Sequence, residues 1–310
     1  MALTWQTCIL SVFAVATLPL YFRILYILIR YRKRQVFRTH FYAITVYQGV
    51  IDVVGFFVYY CSFNLRGIEA LRPLYLATNG TPLVNFLYVQ TYFFQYARIT
   101  GVVLISVQRC ITVAFARTSA DYLLRKFPSW AFLLVQCLLP LALYGNMMLV
   151  PMHLDENLNH IIEEQTLLFH YWKSAVIPAV AMTACIVSYV VIGKVLRVNG
   201  VRSKRELQLT VQVSGLQLAL LIISIHFILQ LIFVYSKMLN AVFMMRNLLP
   251  LWVGFLTFIN PWMMMLVNRD VRKLCLNGVS ETNRMPVSEI PTVSTRGKSR
   301  QSTVFAHRFQ

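Results

Sequence analysis

Seven stretches of the chain, approximately 5–29, 40–63, 84–108, 129–151, 173–195, 208–235 and 247–268, are apolar over a length that crosses a bilayer as a helix. Nothing else in the sequence constrains the fold as much. Lipid offers no partner to a backbone N–H or C=O, so such a segment is either helical or part of a closed barrel, and each stretch exceeds the length of a barrel strand. Composition agrees, with 58% hydrophobic and 13% charged residues, about half the charge that a soluble domain carries. The expected fold is an all-α bundle of seven transmembrane helices over residues 1–268, followed by a tail over 269–310.

Charge sets the orientation. The first apolar run has no basic residue before it, and the block RYRKRQVFR follows it, as in a retained anchor with its N-terminus outside. That block, the loop from Arg109 to Lys126, the segment KVLRVNGVRSKRE and the tail from Arg269 hold 22 of the 29 Lys and Arg. Asp155, Glu156, Glu163 and Glu164 fall on the opposite side. An outer N-terminus and an odd number of spans make the C-terminus cytosolic. The net charge of +18 then lies on loops beside anionic membrane lipid and does not form a nucleic-acid surface. The sequon Asn79-Gly80-Thr81 falls in an outer loop and is a candidate glycosylation site.

Polar residues within spans need partners, because each is costly in hydrocarbon. The third span carries Arg98 and Arg109, eleven residues apart. At 100° per residue they share a face to within about 20°, and Arg98 lies about 16 Å deeper. Gln95 joins that face one turn outward. In the second span Gln48, Asp52 and Gly55 share a face at spacings of four and three. Asp52 lies roughly 18 Å from the cytosolic end of its span, close to the depth of Arg98. A buried Asp52–Arg98 pair is the economical reading; in the other, Arg98 faces a cavity and meets a bound anion. Asn260, roughly 13 Å from the inner end of the last span, is within reach of the pair.

Chemistry-bearing motifs are otherwise missing. No catalytic signature appears, and Gly297-Lys298-Ser299 lacks the earlier glycine of a phosphate-binding loop. The six cysteines stand singly, which argues against a structural zinc site. His153, His160 and His170 read as a solvated face of the acidic outer loop, and His226 reads as lining the bundle interior. No enzyme activity, cofactor or metal is expected. The segment RDVRKLCLNG after the last span has the pattern of a short amphipathic helix on the inner membrane surface. In it Cys275 is either a palmitoylation site or a plain thiol. The Ser- and Thr-rich remainder reads as disordered.

The segments FYAITVYQGVIDVVGFFVYY, ITGVVLISVQRCITVAF and NPWMMMLVNRDVRK resemble nematode serpentine chemoreceptors of the gamma-type (Srg) superfamily, with class V (Srv) the nearest match. The resemblance spans roughly 5–275 and implies a G-protein-coupled receptor of the plasma membrane, in sensory-neuron cilia. Its implied partners are a small chemical cue outside and a heterotrimeric G protein inside. By the same resemblance Arg109, at the inner end of the third span, contacts the G protein with its neighbour Gln108. The basic third loop with Arg205 joins them, and Glu206, the only acid of that loop, is either a resting partner of Arg109 or a solvated side chain. The chain departs from the rhodopsin-like pattern at several points. Gln108-Arg109-Cys110 replaces the acid-Arg-aromatic triplet, the last-span Asn260-Pro261 motif lacks its Tyr, and the usual outer disulfide has no cysteines. The competing class is a transporter or channel with Asp52 and Arg98 lining its pathway.

Overall fold

The computed structural model describes residues 5–34, 37–65, 68–156, 158, 160–161, 163–199 and 204–277. Seven helices are long and apolar enough to cross a membrane: α1 (Trp5–Arg30), α2 (His40–Tyr59), α4 (Pro82–Ala114), α6 (Ser129–Tyr144), α7 (Glu164–Asn199), α8 (Lys204–Tyr235) and α9 (Leu239–Val267). Three short helices accompany them: α3 (Arg72–Leu76), α5 (Ser119–Lys126) and α10 (Arg269–Asn277). A two-stranded antiparallel hairpin, β1 (His153–Leu154) with β2 (His160–Ile161), lies between α6 and α7. The chain is a multi-pass membrane protein built as a seven-helix bundle.

Large apolar side chains such as Val12, Phe13, Val15, Val180 and Leu266 face outward, which is stable only where lipid replaces water. The polar side chains Gln48, Asp52, Gln95, Arg98, Gln136 and Asn260 are turned inward and fully buried. The bundle is thus apolar outside and polar at its centre, because lipid cannot satisfy a hydrogen-bonding group and a neighbouring helix can. At the middle of the bundle is α4, packed against α2, α6, α7 and α8.

Local signals fix the helix ends. Thr81 caps α4, its hydroxyl accepting from the Leu83 N–H at 3.3 Å, with Pro82 in the first turn where its missing N–H costs nothing. Asn268 separates α9 from α10, and its Oδ1 accepts from the Asp270 and Val271 N–H groups at 3.2 Å each. The amide of the same side chain donates to the Tyr42 hydroxyl at 2.9 Å, tying this corner to α2. Helix α10 then turns Val271, Leu274 and Cys275 into the core.

Several boundaries differ from the sequence expectation; α9, for one, starts at Leu239, well before residue 247. Helix α4 continues to Ala114, so Arg109 stands inside it and not at its end. Helix α7 begins at Glu164, well before residue 173. Its first turns extend beyond the apolar stretch, because water at the membrane surface tolerates helical backbone as readily as loop. This places His170 on a helix with 2% exposure, which corrects its reading as part of a solvated loop. The Ser- and Thr-rich tail beyond Asn277 lies outside the described residues.

Candidate functional site

Three layers of polar residues are stacked along α4. The middle layer is a buried hydrogen-bond network. Arg98 Nε donates to Asp52 Oδ1 at 3.0 Å, and its Nη2 donates to the Asp52 carbonyl at 3.1 Å. Gln48 Nε2 reaches the same Oδ1 at 3.2 Å, while the Tyr21 hydroxyl donates to Asp52 Oδ2 at 2.5 Å. Asn260 joins through Tyr21, donating Nδ2 to that hydroxyl at 3.3 Å. Gln136 of α6 donates to Gln48 Oε1 at 2.7 Å and to the Ala97 carbonyl at 3.2 Å. Five helices, α1, α2, α4, α6 and α9, thereby converge on one carboxylate. Asp52 is fully buried and Arg98 is 1% exposed; at such burial an ion pair is tolerable only with its remaining lone pairs and protons satisfied.

Small residues make the convergence possible. A Cβ on Gly101 would run into Gln48 Oε1 and Gln136 Nε2, and one on Gly55 would press on Arg98 and Phe94. Both glycines serve close packing.

On the hairpin side of this network lies a cavity of about 490 Å³ among α1, α2, α4, α7, α8, α9 and the hairpin, within the range of small-molecule sites. Tyr88, Thr91 and Tyr92 of α4 line one wall, with His170, Tyr171 and Ser174 of α7 beside them. Gln230 and Phe227 of α8, Phe243 and Arg246 of α9, and Thr7, Tyr59 and Phe63 from α1 and the end of α2 also line it. The His170 ring sits edge-on against Tyr92, with ring centres 4.0 Å apart, and Tyr88 and Tyr144 flank it at 5.6 and 5.5 Å. Below it the Tyr144 hydroxyl donates to that of Tyr96 at 3.0 Å, and the two rings stack at 4.6 Å.

At the far end of α4, Gln108 and Arg109 are each 5% exposed. The Arg109 guanidinium stands 6.0 Å from the Phe41 ring centre. Arg205 and Glu206 fall in the first turn of α8, but their side chains lie outside the described residues. From Thr91 at the cavity wall to Arg109, α4 spans about 27 Å.

The other sequence candidates sit elsewhere. The Asn79 side-chain amide pairs with β1, Nδ2 donating to the Leu154 carbonyl at 3.0 Å and Oδ1 accepting from the Leu154 N–H at 2.8 Å. The nitrogen that a glycan would occupy is therefore engaged in the folded chain. Cys275 is 5% exposed and packed in the core. Little of the residue is therefore open to an acyl chain where α10 sits. Tyr21 and Gln136 were missed by sequence reasoning. A mid-span Gln is a detectable polar signal, whereas a Tyr in an apolar run is not.

A seven-helix membrane bundle with a closed polar core and a cavity at one end is the architecture of a serpentine receptor. The family model described as serpentine type 7TM GPCR chemoreceptor Srv matches residues 10–280, and the chain belongs to that family. No curated protein matched the chain.

Proposed function

We propose that the protein is a G-protein-coupled chemosensory receptor, which binds a small chemical cue in the cavity beside the hairpin and activates a heterotrimeric G protein at the opposite end. One observation carries this reading: a single helix, α4, holds the cavity wall at Thr91 and Tyr92, the buried pair at Arg98, and Arg109 at the other end. A ligand that favours one of two packings of α4 shifts the population of both ends at once. In this scheme Arg109, Gln108, Arg205 and Glu206 contact the G protein. The Asp52–Arg98–Asn260 cluster is the hinge, with Arg98 as a fixed positive charge among the helices.

The proposed orientation places the N-terminus and hairpin outside and α5, α10 and the tail in the cytosol. The 22 basic residues on that side support it. An epitope before Met1 should be reached by antibody on sealed cells, and one after Gln310 should not; the reverse would overturn the orientation. The family points to the plasma membrane, with sensory cilia as the site of action.

Transport is the rival. Its pathway would need Asp52 and Arg98 to meet solvent or solute, but the two are buried against each other and do not line the cavity beside the hairpin. Reconstituted protein should stimulate nucleotide exchange on a G protein when a cue is added. Solute flux through liposomes without such exchange would favour the transporter.

A further inference from the structure

Resting on the receptor reading, the charge pattern of the cavity narrows the chemistry of the cue. Arg246 is the only lysine, arginine, aspartate or glutamate that lines the cavity among the described residues. Its Nε donates to the Tyr171 hydroxyl at 3.0 Å, and its Nη2 donates to the same oxygen. Tyr171 is 7% exposed, packed among its neighbours, and its hydroxyl anchors the guanidinium. The guanidinium carbon lies 5.7 Å from the Tyr171 ring centre, off its hydroxyl end, and 6.0 Å from the Phe243 ring centre. No carboxylate pairs with Arg246 among the described residues. The side chain is exposed at the cavity rim, leaving Nη1 free to donate.

Deeper in, His170 is 2% exposed, lines the cavity and has no hydrogen-bond partner at Nδ1. A buried polar atom without a partner is costly, and a ligand atom is one way to satisfy it. Between rim and floor the walls are largely aromatic: Tyr59, Phe63, Tyr88, Tyr92 and Phe227. These walls suit a flat or apolar body.

We propose that the cavity takes a small organic acid, its carboxylate held by Arg246 and the Tyr171 hydroxyl, its apolar body among the tyrosines, and a polar atom of the deeper end bonded to His170. The guanidinium fork matches a carboxylate in shape and charge. Tyr171, which accepts from Arg246, still has its own proton to donate to the second carboxylate oxygen. An amine would meet a cation and no anion, and a neutral ester would forfeit the charged hydrogen bond.

The test uses purified full-length receptor in nanodiscs and three matched sets of probes that carry a distal hydroxyl for His170: 4-hydroxybenzoate, 4-hydroxyphenylacetate and 6-hydroxyhexanoate; their methyl esters; and 4-hydroxybenzylamine, 4-hydroxyphenethylamine and 6-hydroxyhexylamine. Thermal stabilisation without G protein reads binding, and nucleotide exchange with G protein reads signalling. At least one acid should stabilise the receptor at a concentration about tenfold or more below its ester, the effect of one charge-assisted hydrogen bond. Arg246→Gln should abolish that preference, and Arg246→Lys should retain it. Tyr171→Phe, which keeps the charge, should weaken the acid yet leave it ahead of the ester, so the proposal stays testable if Arg246→Gln does not fold. Equal or tighter binding of esters or amines, an acid preference that survives Arg246→Gln, or no stabilisation by any acid at millimolar concentration would each overturn the proposal. Acids that stabilise without driving exchange would leave the acid site standing and refute the signalling reading. Exchange driven only by an ester or amine would do the reverse.

Discussion

Replacing Asp52 and Arg98 singly and together tests the polar core most directly. Asp52→Leu leaves the guanidinium buried with only the Asp52 main-chain carbonyl as a partner. Arg98→Met leaves the carboxylate with Tyr21 and Gln48 as its donors. Either change strands a buried charge, at a cost of about 3–5 kcal/mol. If the two residues acted independently, the double variant would lose about 6–10 kcal/mol, enough to unfold most proteins. It strands no charge, however. Its remaining defects are the Tyr21 hydroxyl and the Gln48 amide, which lose their acceptor at about 1–3 kcal/mol each. Asn260 lessens one of them: its Oδ1 has no partner, and rotating the amide presents that oxygen to the Tyr21 proton. The double variant should therefore be more stable than either single, or close to the milder of them, with a coupling of several kcal/mol between the sites. Surface expression and unfolding of the four proteins in nanodiscs would read the cycle. A double variant as damaged as the sum of the singles would refute the pairing energetics and return Arg98 to the alternative, a ligand-facing cation.

Further outcomes follow from other layers. Arg109→Ala should reach the surface and bind its cue yet stimulate little nucleotide exchange; full exchange would remove it from the coupling role. Gly101→Ala should destabilise by about 1–3 kcal/mol through overpacking, because its Cβ would collide with Gln48 and Gln136, whereas Gly193→Ala, with nothing nearby, should be neutral or stabilising in an unfolding assay. The Asp121 carboxyl is held below the usual carboxylate range by its hydrogen bond to Arg125, aided by the Arg117 N–H. Because its folded value is lowered, this contribution is complete above the unfolded value of about 3.9 and fades as pH falls through the folded one. Amide exchange in α5 should thus show no pH-dependent loss of protection between pH 8 and 5 beyond the intrinsic rate, and Asp121→Asn should lose the protection at every pH.

The number and type of the long helices are legible because lipid makes each span satisfy its own backbone, so length and apolarity suffice. Asp52 and Arg98 are legible as a couple because charge at matching depth leaves few partners to choose from. The rest of the network is not. Tyr21 looks apolar in LPLYFRILY, and its hydroxyl acquires meaning only when α1 is set beside α2 and α9. His170 was hidden by Glu163 and Glu164, whose charges suggest a loop although the helix starts among them. The cavity is less legible still. Its walls come from helices far apart in sequence, and Arg246 stands in a stretch that reads as the outer edge of a span.

The bond between Asn79 and Leu154 has a consequence in time as well as in space. The two residues are 75 positions apart, so during synthesis the asparagine emerges well before the strand that will occupy its amide. At about 5–20 residues per second this delay lasts roughly 4–15 seconds. In the proposed orientation Asn79 faces the lumen throughout that interval, and sugar transfer and hairpin docking draw on the same nitrogen. A glycan placed first would displace the bond to Leu154, and a hairpin docked first would shield the nitrogen from sugar transfer. Slowing translation between the third and fourth spans would lengthen the first opportunity, and hastening it would favour the second. The chain would then be made as two populations from one sequence, one with a glycan on Asn79 and a loosened hairpin over the cavity, the other bare and closed. Their ratio would be set by the ribosome and not by the folded protein.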